Sequence, residues 1–248
     1  MKYFLLILVL LLPLTPLVAQ EDLREQASNY FDEGNEDEAL ELYLQLLDEY
    51  PEDVEILWRT SMLYARVGNR IDDEEKRDEY LYHAVSISEK ALETDDSVAD
   101  VHFTYAVAMG RVANHASGSD ALELAKKIRD HSQKALEIDP EHEGAMHVLG
   151  MWHMRMANLS MTERTAAYTL FGGVPEGAEN DKAEEYLNKA IEFDPNMILY
   201  HLDLAKFYEM KDEQGKAKKL LEKIVHMEPR YKDDPEHKQE AQEMLAEL

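Results

Sequence analysis

Cysteine is absent from this chain of 248 residues, and its absence excludes several features. No disulfide can form, and no thiol is available as a catalytic nucleophile. A bacterial lipid anchor, which is attached to a cysteine just after an export signal, is excluded for the same reason. Whatever holds the fold together is therefore noncovalent.

Basic residues are scarce as well, since 26 Lys and Arg face 52 Asp and Glu, for a formal net charge of -26. A chain so acidic repels nucleic acids and anionic membrane surfaces, so neither is expected as a partner. The acidity favours a solvated outer face over a specific acidic recognition surface.

Strand patterns are lacking, and only ten glycines and eight prolines interrupt the sequence. Charged residues make up 31% of the chain and are spread through amphipathic segments. This composition is typical of a helical array.

A set of four residues recurs at a spacing of 34 positions. Ala183, Leu187, Ala190 and Pro195 return as Ala217, Leu221, Ile224 and Pro229, and Ala39, Tyr43, Leu46 and Pro51 share the same internal spacing. Residues at i, i+4 and i+7 lie on one helix face, and the proline that follows cannot continue the helix. A period of about 34 predicts stacked helical hairpins, and the pattern resembles the second helix of a tetratricopeptide repeat.

The predicted fold class is all-α, a tetratricopeptide-like α-solenoid of antiparallel hairpins. We expect about five units in one repeat domain, 20–248, closed by a C-terminal capping helix at 236–248. The central units are longer, with inserted residues at 71–78, 116–120 and 159–180. The last insertion carries the apolar stretch 166–171, which we expect to pack against the array.

Residues 1–19 differ from the rest of the chain. Lys2 is followed by an apolar run from Tyr3 to Leu12, two prolines and the small residue Ala19. This order predicts a signal peptide cleaved before Gln20, and hence a periplasmic or secreted protein. A retained N-terminal membrane anchor is the alternative.

A second recurring pattern occurs in the longer units. Arg66, Arg111 and Arg155 each begin an Arg-x-x-Asn sequence, at spacings of 45 and 44 residues, near the end of a predicted first helix. Because first helices line the inner face of such a superhelix, the three guanidinium groups could line one groove and bind an acidic peptide, a chain terminus or another anion. Pairing with neighbouring carboxylates at helix ends is the structural alternative.

The rest of the predicted inner face is partly apolar. Some tetratricopeptide domains clamp a peptide terminus with lysine and asparagine at the fifth and ninth positions of their first helices. Those positions here hold Arg24 and Ser28, Trp58 and Met62, His147 and Met151, and Leu202 and Lys206, so the clamp is missing.

The candidate partner-binding residues are the three arginines together with Trp58, Met62, Phe103, Met151, Leu202 and Lys206. The bulky apolar side chains could equally pack against the neighbouring hairpin.

The segment from Gly144 to Pro195 resembles the regulator of microtubule dynamics family. A Leu-Gly-x-Trp helix is followed by Ala-x-Leu, Glu-Arg and a Leu-Phe-Gly-x-x-Pro turn. The matching residues are Leu149, Gly150, Trp152, Ala157, Leu159, Glu163, Arg164, Leu170, Phe171, Gly172 and Pro175. The resemblance implies an all-helical adaptor that binds other proteins. We do not carry over a role on microtubules, because their acidic surface would repel this chain.

No motif for catalysis is present, since the sequence lacks a phosphate-cradling glycine loop and a Gly-x-Ser-x-Gly elbow. His142, His147 and His153 lie at spacings that do not place metal ligands on one helix face, so neither a metal nor a cofactor is expected.

The sequence thus favours a non-enzymatic scaffold that binds a protein or peptide, with no oligomeric state implied. The alternative is a ligand-binding protein or enzyme with a pocket beneath residues 159–175.

Overall fold

The structure, a computed structural model, describes residues 15–171 and 173–248, with the backbone alone for residues 15–22 and 171. Most of the predicted signal peptide, residues 1–14, lies outside the described residues. Within the described ranges the chain forms twelve helices and no strand. They are α1 (Thr15–Asp32), α2 (Glu36–Glu49), α3 (Val54–Asn69), α4 (Glu74–Thr94), α5 (Ala99–Ala113), α6 (Gly118–Ile138), α7 (Glu143–Ala157), α8 (Met161–Phe171), α9 (Asn180–Phe193), α10 (Ile198–Met210), α11 (Gln214–His226) and α12 (Asp234–Glu247).

Eleven of these helices form five antiparallel hairpins and a final helix, which confirms the predicted all-α solenoid. The hairpins are α1 with α2, α3 with α4, α5 with α6, α7 with α9, and α10 with α11. Helix α12 packs on the last hairpin. The insertion between α7 and α9 forms a helix of its own, α8, which contacts α6.

The repeated residues form the buried face of the second helices. Ala183, Leu187 and Ala190 on α9 are fully buried, and so are their counterparts Ala217, Leu221 and Ile224 on α11. Each buried leucine contributes about 1.5–3 kcal/mol to folding. The apolar core is a series of local clusters along the array, as expected when each hairpin packs mainly on its neighbours.

Capping side chains and prolines near the helix ends determine where helices begin. The Asp53 side chain accepts hydrogen bonds from the backbone N–H groups of Glu55 and Ile56 at 3.1 and 3.2 Å, and so caps the start of α3. Residues 71–78 lengthen the start of α4, which begins at Glu74. The C-terminal helix begins at Asp234, two residues before the predicted start, with Pro235 in its first turn.

The two ends of the array meet. The loop that precedes α12 reaches the first two hairpins, where Arg70 Nη1 lies 3.1 Å from Asp233 Oδ1 and Lys232 pairs with Asp37. We call this region the closure contact: Gly34, Glu36, Asp37, Arg66 and Arg70 on one side, and Arg230, Tyr231, Lys232 and Asp233 on the other. The array therefore curves into a ring.

Among the described residues, no helix combines the length and the apolar character needed to cross a membrane.

Candidate functional site: a central cavity

The inner face of the array forms a cavity of about 760 Å³, which is partly open to solvent. Its walls come from the first helices α3, α5, α7 and α10, from α6 and α8, and from the closure contact. A volume of this size lies within the range of small-molecule and peptide side-chain pockets.

All three arginines of the repeated Arg-x-x-Asn sequence line this one cavity. They stand at equivalent positions near the ends of α3, α5 and α7, so the curvature of the array brings their side chains toward a common space. Asn69 and Asn114 line the cavity too, whereas Asn158 donates hydrogen bonds to Met154 O and Asn180 Oδ1, at 2.7 and 2.6 Å.

The three arginines differ in their partners. Arg66 pairs with the buried carboxylate of Glu36, with Nη1 3.3 Å from Oε1. Among the described residues, neither Arg111 nor Arg155 forms an ion pair, although Arg155 lies within electrostatic reach of Glu163. The structural alternative, pairing with local carboxylates, thus holds for Arg66 alone.

Arg111 is the most confined of the three. Its Nε atom is buried and has no hydrogen-bond partner in the part of the chain that the structure describes. Burial lowers the pKa of the Arg111 guanidinium below its ordinary value, while the nearby carboxylate of Asp233 opposes the shift. Arginine stays protonated under such conditions, so the cavity holds a cation whose desolvation is incompletely compensated. An anion placed beside it would supply the hydrogen bond that Nε lacks.

Much of the remaining wall is apolar. Phe103 and Met151 line the cavity and are partly exposed, together with Val107, Ile128 and Leu159. Met62 also borders the cavity but is 2% exposed, so it packs mainly within the array. Methionine side chains adapt to irregular shapes, so such a wall can accept apolar groups of different outline.

Three predicted residues lie elsewhere. Leu202 is fully buried in the C-terminal cluster, where α11 and α12 cover it. Trp58 packs edge-on against Phe31 of α1, with ring centroids 5.7 Å apart. Lys206 pairs with Glu240 of α12 at 2.9 Å. The terminal helices cover these positions, which a repeat pattern alone does not show.

Polar residues that sequence reasoning missed complete the cavity. His147 Nε2 lies 2.8 Å from Asp203 Oδ2, and the His147 ring stacks on Tyr200. Glu36, Tyr231 and Asp233 line the cavity at the closure contact, and Asp234 and His237 line it from the start of α12. Glu36 meets the residues before and in α12 only because the two ends of the array meet, so no local sequence signal identifies that part of the cavity. Within the described ranges, no cluster of histidines and carboxylates has the arrangement of a metal site.

Helix α8 covers the cavity from the side of α6 and α7. Ala166, Ala167 and Glu163 on α8 line the cavity, with Leu159 before it and Val174 after it. Part of the central cavity therefore lies beneath α8. The apolar stretch packs against the array only in part, since Ala167 is buried but Tyr168 and Leu170 are 64% and 67% exposed.

Two side-chain devices hold α8 in place. Ser160 and Glu163 form a reciprocal capping box, in which each backbone N–H donates to the other side chain, at 2.7 and 3.2 Å. The Arg164 guanidinium donates to three backbone carbonyls at the end of α7 and just after it: Met156 O, Ala157 O and Leu159 O, at 2.7–3.2 Å. The Glu-Arg dipeptide thus fastens the start of α8 to α7.

Comparison with known proteins identifies the family. The family profile described as "Regulator of microtubule dynamics protein 1-3" matches residues 23–248. This chain belongs to the regulator of microtubule dynamics family. It is 29% identical over 229 residues to regulator of microtubule dynamics protein 1 from Bos taurus, covering 91% of this chain and 71% of the relative. The protein 1 of Pongo abelii is 30% identical over 225 residues, covering 84% of this chain and 70% of the relative.

A solved structure supports the fold alone. A thermophilic TPR protein from Thermus thermophilus superposes with a TM-score of 0.64 at 16% identity, covering 90% of this chain and 98% of that chain. The family match and the TPR-like fold together identify this chain as a helical scaffold.

Two of the residues that carry the family resemblance fix the packing of α7 against its neighbours. Trp152 Nε1 donates to Ala125 O at 2.7 Å and joins α7 to α6. Gly150 allows α7 and α9 to approach, because a Cβ atom there would lie 2.9 Å from Leu187 Cγ. Phe171 is described only in its backbone, and Gly172 lies outside the described residues.

Proposed function

We propose that this protein is a non-enzymatic adaptor that binds a segment of a partner protein in the central cavity. The observation that carries the proposal is Arg111, a cavity-lining guanidinium with a buried Nε atom and no ion pair among the described residues. The family and the scaffold fold support the same conclusion at a coarser level.

The chemistry of the cavity favours a particular kind of segment. A guanidinium forms paired, charge-assisted hydrogen bonds with a carboxylate, and the methionine and phenylalanine side chains suit apolar groups beside it. We therefore propose a peptide with one carboxylate, either a chain terminus or an acidic side chain, flanked by apolar residues. A strongly acidic peptide is less suitable, because the protein as a whole carries a net charge of -26.

Titration calorimetry with matched peptides tests this proposal. The probe is a short N-acetylated apolar peptide with a free C-terminal carboxylate, and its C-terminal amide is the control ligand. We expect Arg111→Met to weaken binding of the carboxylate form about 10- to 100-fold, as for the loss of a charged hydrogen bond, and to leave binding of the amide unchanged. Arg155→Met should have a smaller effect, since Arg155 is exposed at the rim.

Arg77→Met serves as the matched control, because Arg77 lies on α4 and does not line the cavity. Equal binding of the carboxylate and amide peptides to all variants would contradict the role of the arginines. A pull-down with an Arg66, Arg111 and Arg155 triple alanine variant extends the same test to natural partners. Equal partner recovery would discard the arginine contribution and leave the scaffold itself in place.

A second candidate is a binding protein for a small anion with an apolar body. It is favoured by the 760 Å³ cavity and by the way α8 covers it. Anilinonaphthalene sulfonate, a fluorescent apolar anion, is a suitable probe. Tight binding that the carboxylate peptide fails to displace would favour this candidate over the peptide, whereas competition between the two would place both ligands in one cavity.

We further propose that the protein is exported to the periplasm or secreted, with residues 1–19 removed before Gln20. The apolar run and the small residue Ala19 support this proposal. Helix α1 begins at Thr15, so cleavage would remove its first five residues and leave the part that packs on α2. The mass of the mature protein decides the matter: an intact N-terminus would instead favour a retained anchor.

A further inference from the structure

We propose that the closure contact is a salt-sensitive gate of the central cavity. The proposal rests on the proposed binding function and concerns how a ligand reaches the cavity. Tyr231 and Asp233 belong both to the cavity wall and to the closure contact, so parting the two sides of this contact would add a second, wider opening to a cavity that is partly open already.

The closure contact is built differently from the packing between hairpins. Its described contacts are mainly ionic: Arg70 with Asp233 at 3.1 Å, Lys232 with Asp37, and the Arg66 guanidinium 4.9 Å from the centre of the Tyr231 ring. None of the buried apolar clusters found among the described residues spans it. Partly exposed ion pairs contribute little and are screened by salt, whereas apolar packing is not.

The charged side chains on the first side of the closure contact keep their ion pairs when the two sides separate. On the first side, the buried carboxylate of Glu36 pairs with both Arg66 and Arg70, so these arginines keep a partner without Asp233. Opening therefore leaves neither guanidinium alone in a buried place, which is the costly outcome when a buried ion pair is broken.

The second side keeps its shape through Asp234. Its Oδ2 atom accepts hydrogen bonds from the backbone N–H groups of Arg230 and Tyr231, at 2.7 and 2.8 Å. The loop before α12 is thus held by its own helix and not by the first hairpin. Two preformed surfaces that meet through screened charges are what a gate requires.

The backbone at Gly34 shows that the two sides of the closure contact pack closely against each other. Its backbone adopts a φ of +77°, which favours glycine, and a Cβ atom there would lie 2.4 Å from Arg230 O. A side chain at this position would therefore hold the closure contact open.

The absence of cysteine makes the gate directly measurable, since labels can be attached to introduced cysteines alone. Glu38→Cys on α2 and Glu236→Cys on α12 are exposed positions on opposite sides of the closure contact. Spin labels at this pair should report one short distance at about 0.05 M NaCl, and a longer, broader distribution at about 1 M NaCl. Lys232→Gln with Asp233→Asn should give the broad distribution already at low salt.

The control pair is Ser86→Cys with Lys126→Cys, exposed positions on the second helices of two neighbouring hairpins. Its distance should not change with salt or with the charge substitutions, which also shows that the variants are folded. An unchanged distance between the labels at 38 and 236 under all conditions would overturn the gate.

Entry kinetics connect the gate to binding. At constant low salt, the Lys232→Gln and Asp233→Asn double variant should bind anilinonaphthalene sulfonate at least about threefold faster than the wild type. Joining the two introduced cysteines of the Glu38→Cys and Glu236→Cys variant with a short bismaleimide should slow binding. Equal rates in all three proteins would overturn the gate as the route of entry.

Failure of the wild type to bind any probe would instead count against the proposed function. The distance between the labels at positions 38 and 236 would still decide whether the closure contact opens.

Discussion

The face that packs one hairpin on the next and the face that lines the cavity belong to the same array but differ in chemistry. The packed face of α9 consists of Ala183, Leu187 and Ala190, all fully buried. The cavity face carries Arg111 and Arg155 without ion pairs among the described residues, beside partly buried Phe103 and Met151. The difference indicates that repeat periodicity determines stability, whereas the recurring arginines lie outside that pattern and belong to the proposed binding site.

The largest expected effect lies on the packed face. Leu187→Ala removes a fully buried side chain and should lower the free energy of unfolding by about 3–4 kcal/mol. Leu221→Ala, at the equivalent position of the next unit, should cost as much, and Met151→Ala on the cavity wall only about 1 kcal/mol. Urea unfolding followed by circular dichroism measures all three, and equal losses would erase the distinction between the two faces.

Acid should weaken the packed face through the pair formed by His102 and His131, whose Nδ1 atoms lie 2.9 Å apart. Burial, with a smaller effect of His102, lowers the pKa of His131 to about 4. The unfolded chain therefore binds more protons than the folded protein as pH falls from about 6.5 to about 4. Because His131 is only half-buried, solvent screening reduces the effect, and stability should decrease by about 1–2 kcal/mol.

Urea unfolding of the wild type and of His131→Gln across this pH range tests the assignment. The variant should lose less stability in acid than the wild type. The same slope in both proteins would place the acid sensitivity in other groups.

Two glycines of the first helices provide a matched test of close packing. Gly150→Ala should destabilise the protein by about 1–2 kcal/mol, because the new Cβ would lie 2.9 Å from Leu187 Cγ on the packed face. Gly110→Ala meets no atom within 4 Å and should stabilise α5 by up to about 1 kcal/mol. Thermal unfolding should give shifts of opposite sign, and a loss in both variants would contradict this prediction.

The smallest effect is expected at α8, which covers the cavity. Ser160→Ala removes the capping box with Glu163 and should cost about 1 kcal/mol, felt mainly within α8. Hydrogen exchange should speed up in residues 161–168 and stay unchanged in α9. Ser119→Ala, an exposed position in the first turn of α6, is the control; if it speeds exchange in α8 equally, the capping role is wrong.

Sequence alone predicted the hairpins because their signal is local. Ala, Leu and Ala at i, i+4 and i+7 define one helix face, and Pro195 or Pro229 ends the unit, whatever the rest of the chain does. The convergence of Arg66, Arg111 and Arg155 was also predictable, since equivalent positions of successive units share one face of the array.

Long-range contacts were not predictable in this way. Leu202 and Trp58 occupy groove positions by count, yet α12 and α1 cover them in the folded array. Arg70 and Asp233 are 163 residues apart, and nothing in the repeat pattern states how far the array curves. The closed part of the cavity depends on that curvature.

The meeting of the first and last units has a consequence for how this family can vary. An open solenoid tolerates gain or loss of a repeat, because each unit contacts only its neighbours. Here an added hairpin would move the loop at Arg230 away from Gly34, and a deleted one would drive the two together. The number of hairpins is thus set by the need for the first and last units to meet. Diversity among such rings should arise through insertions like α8, which change the cavity wall and leave the number of hairpins unchanged.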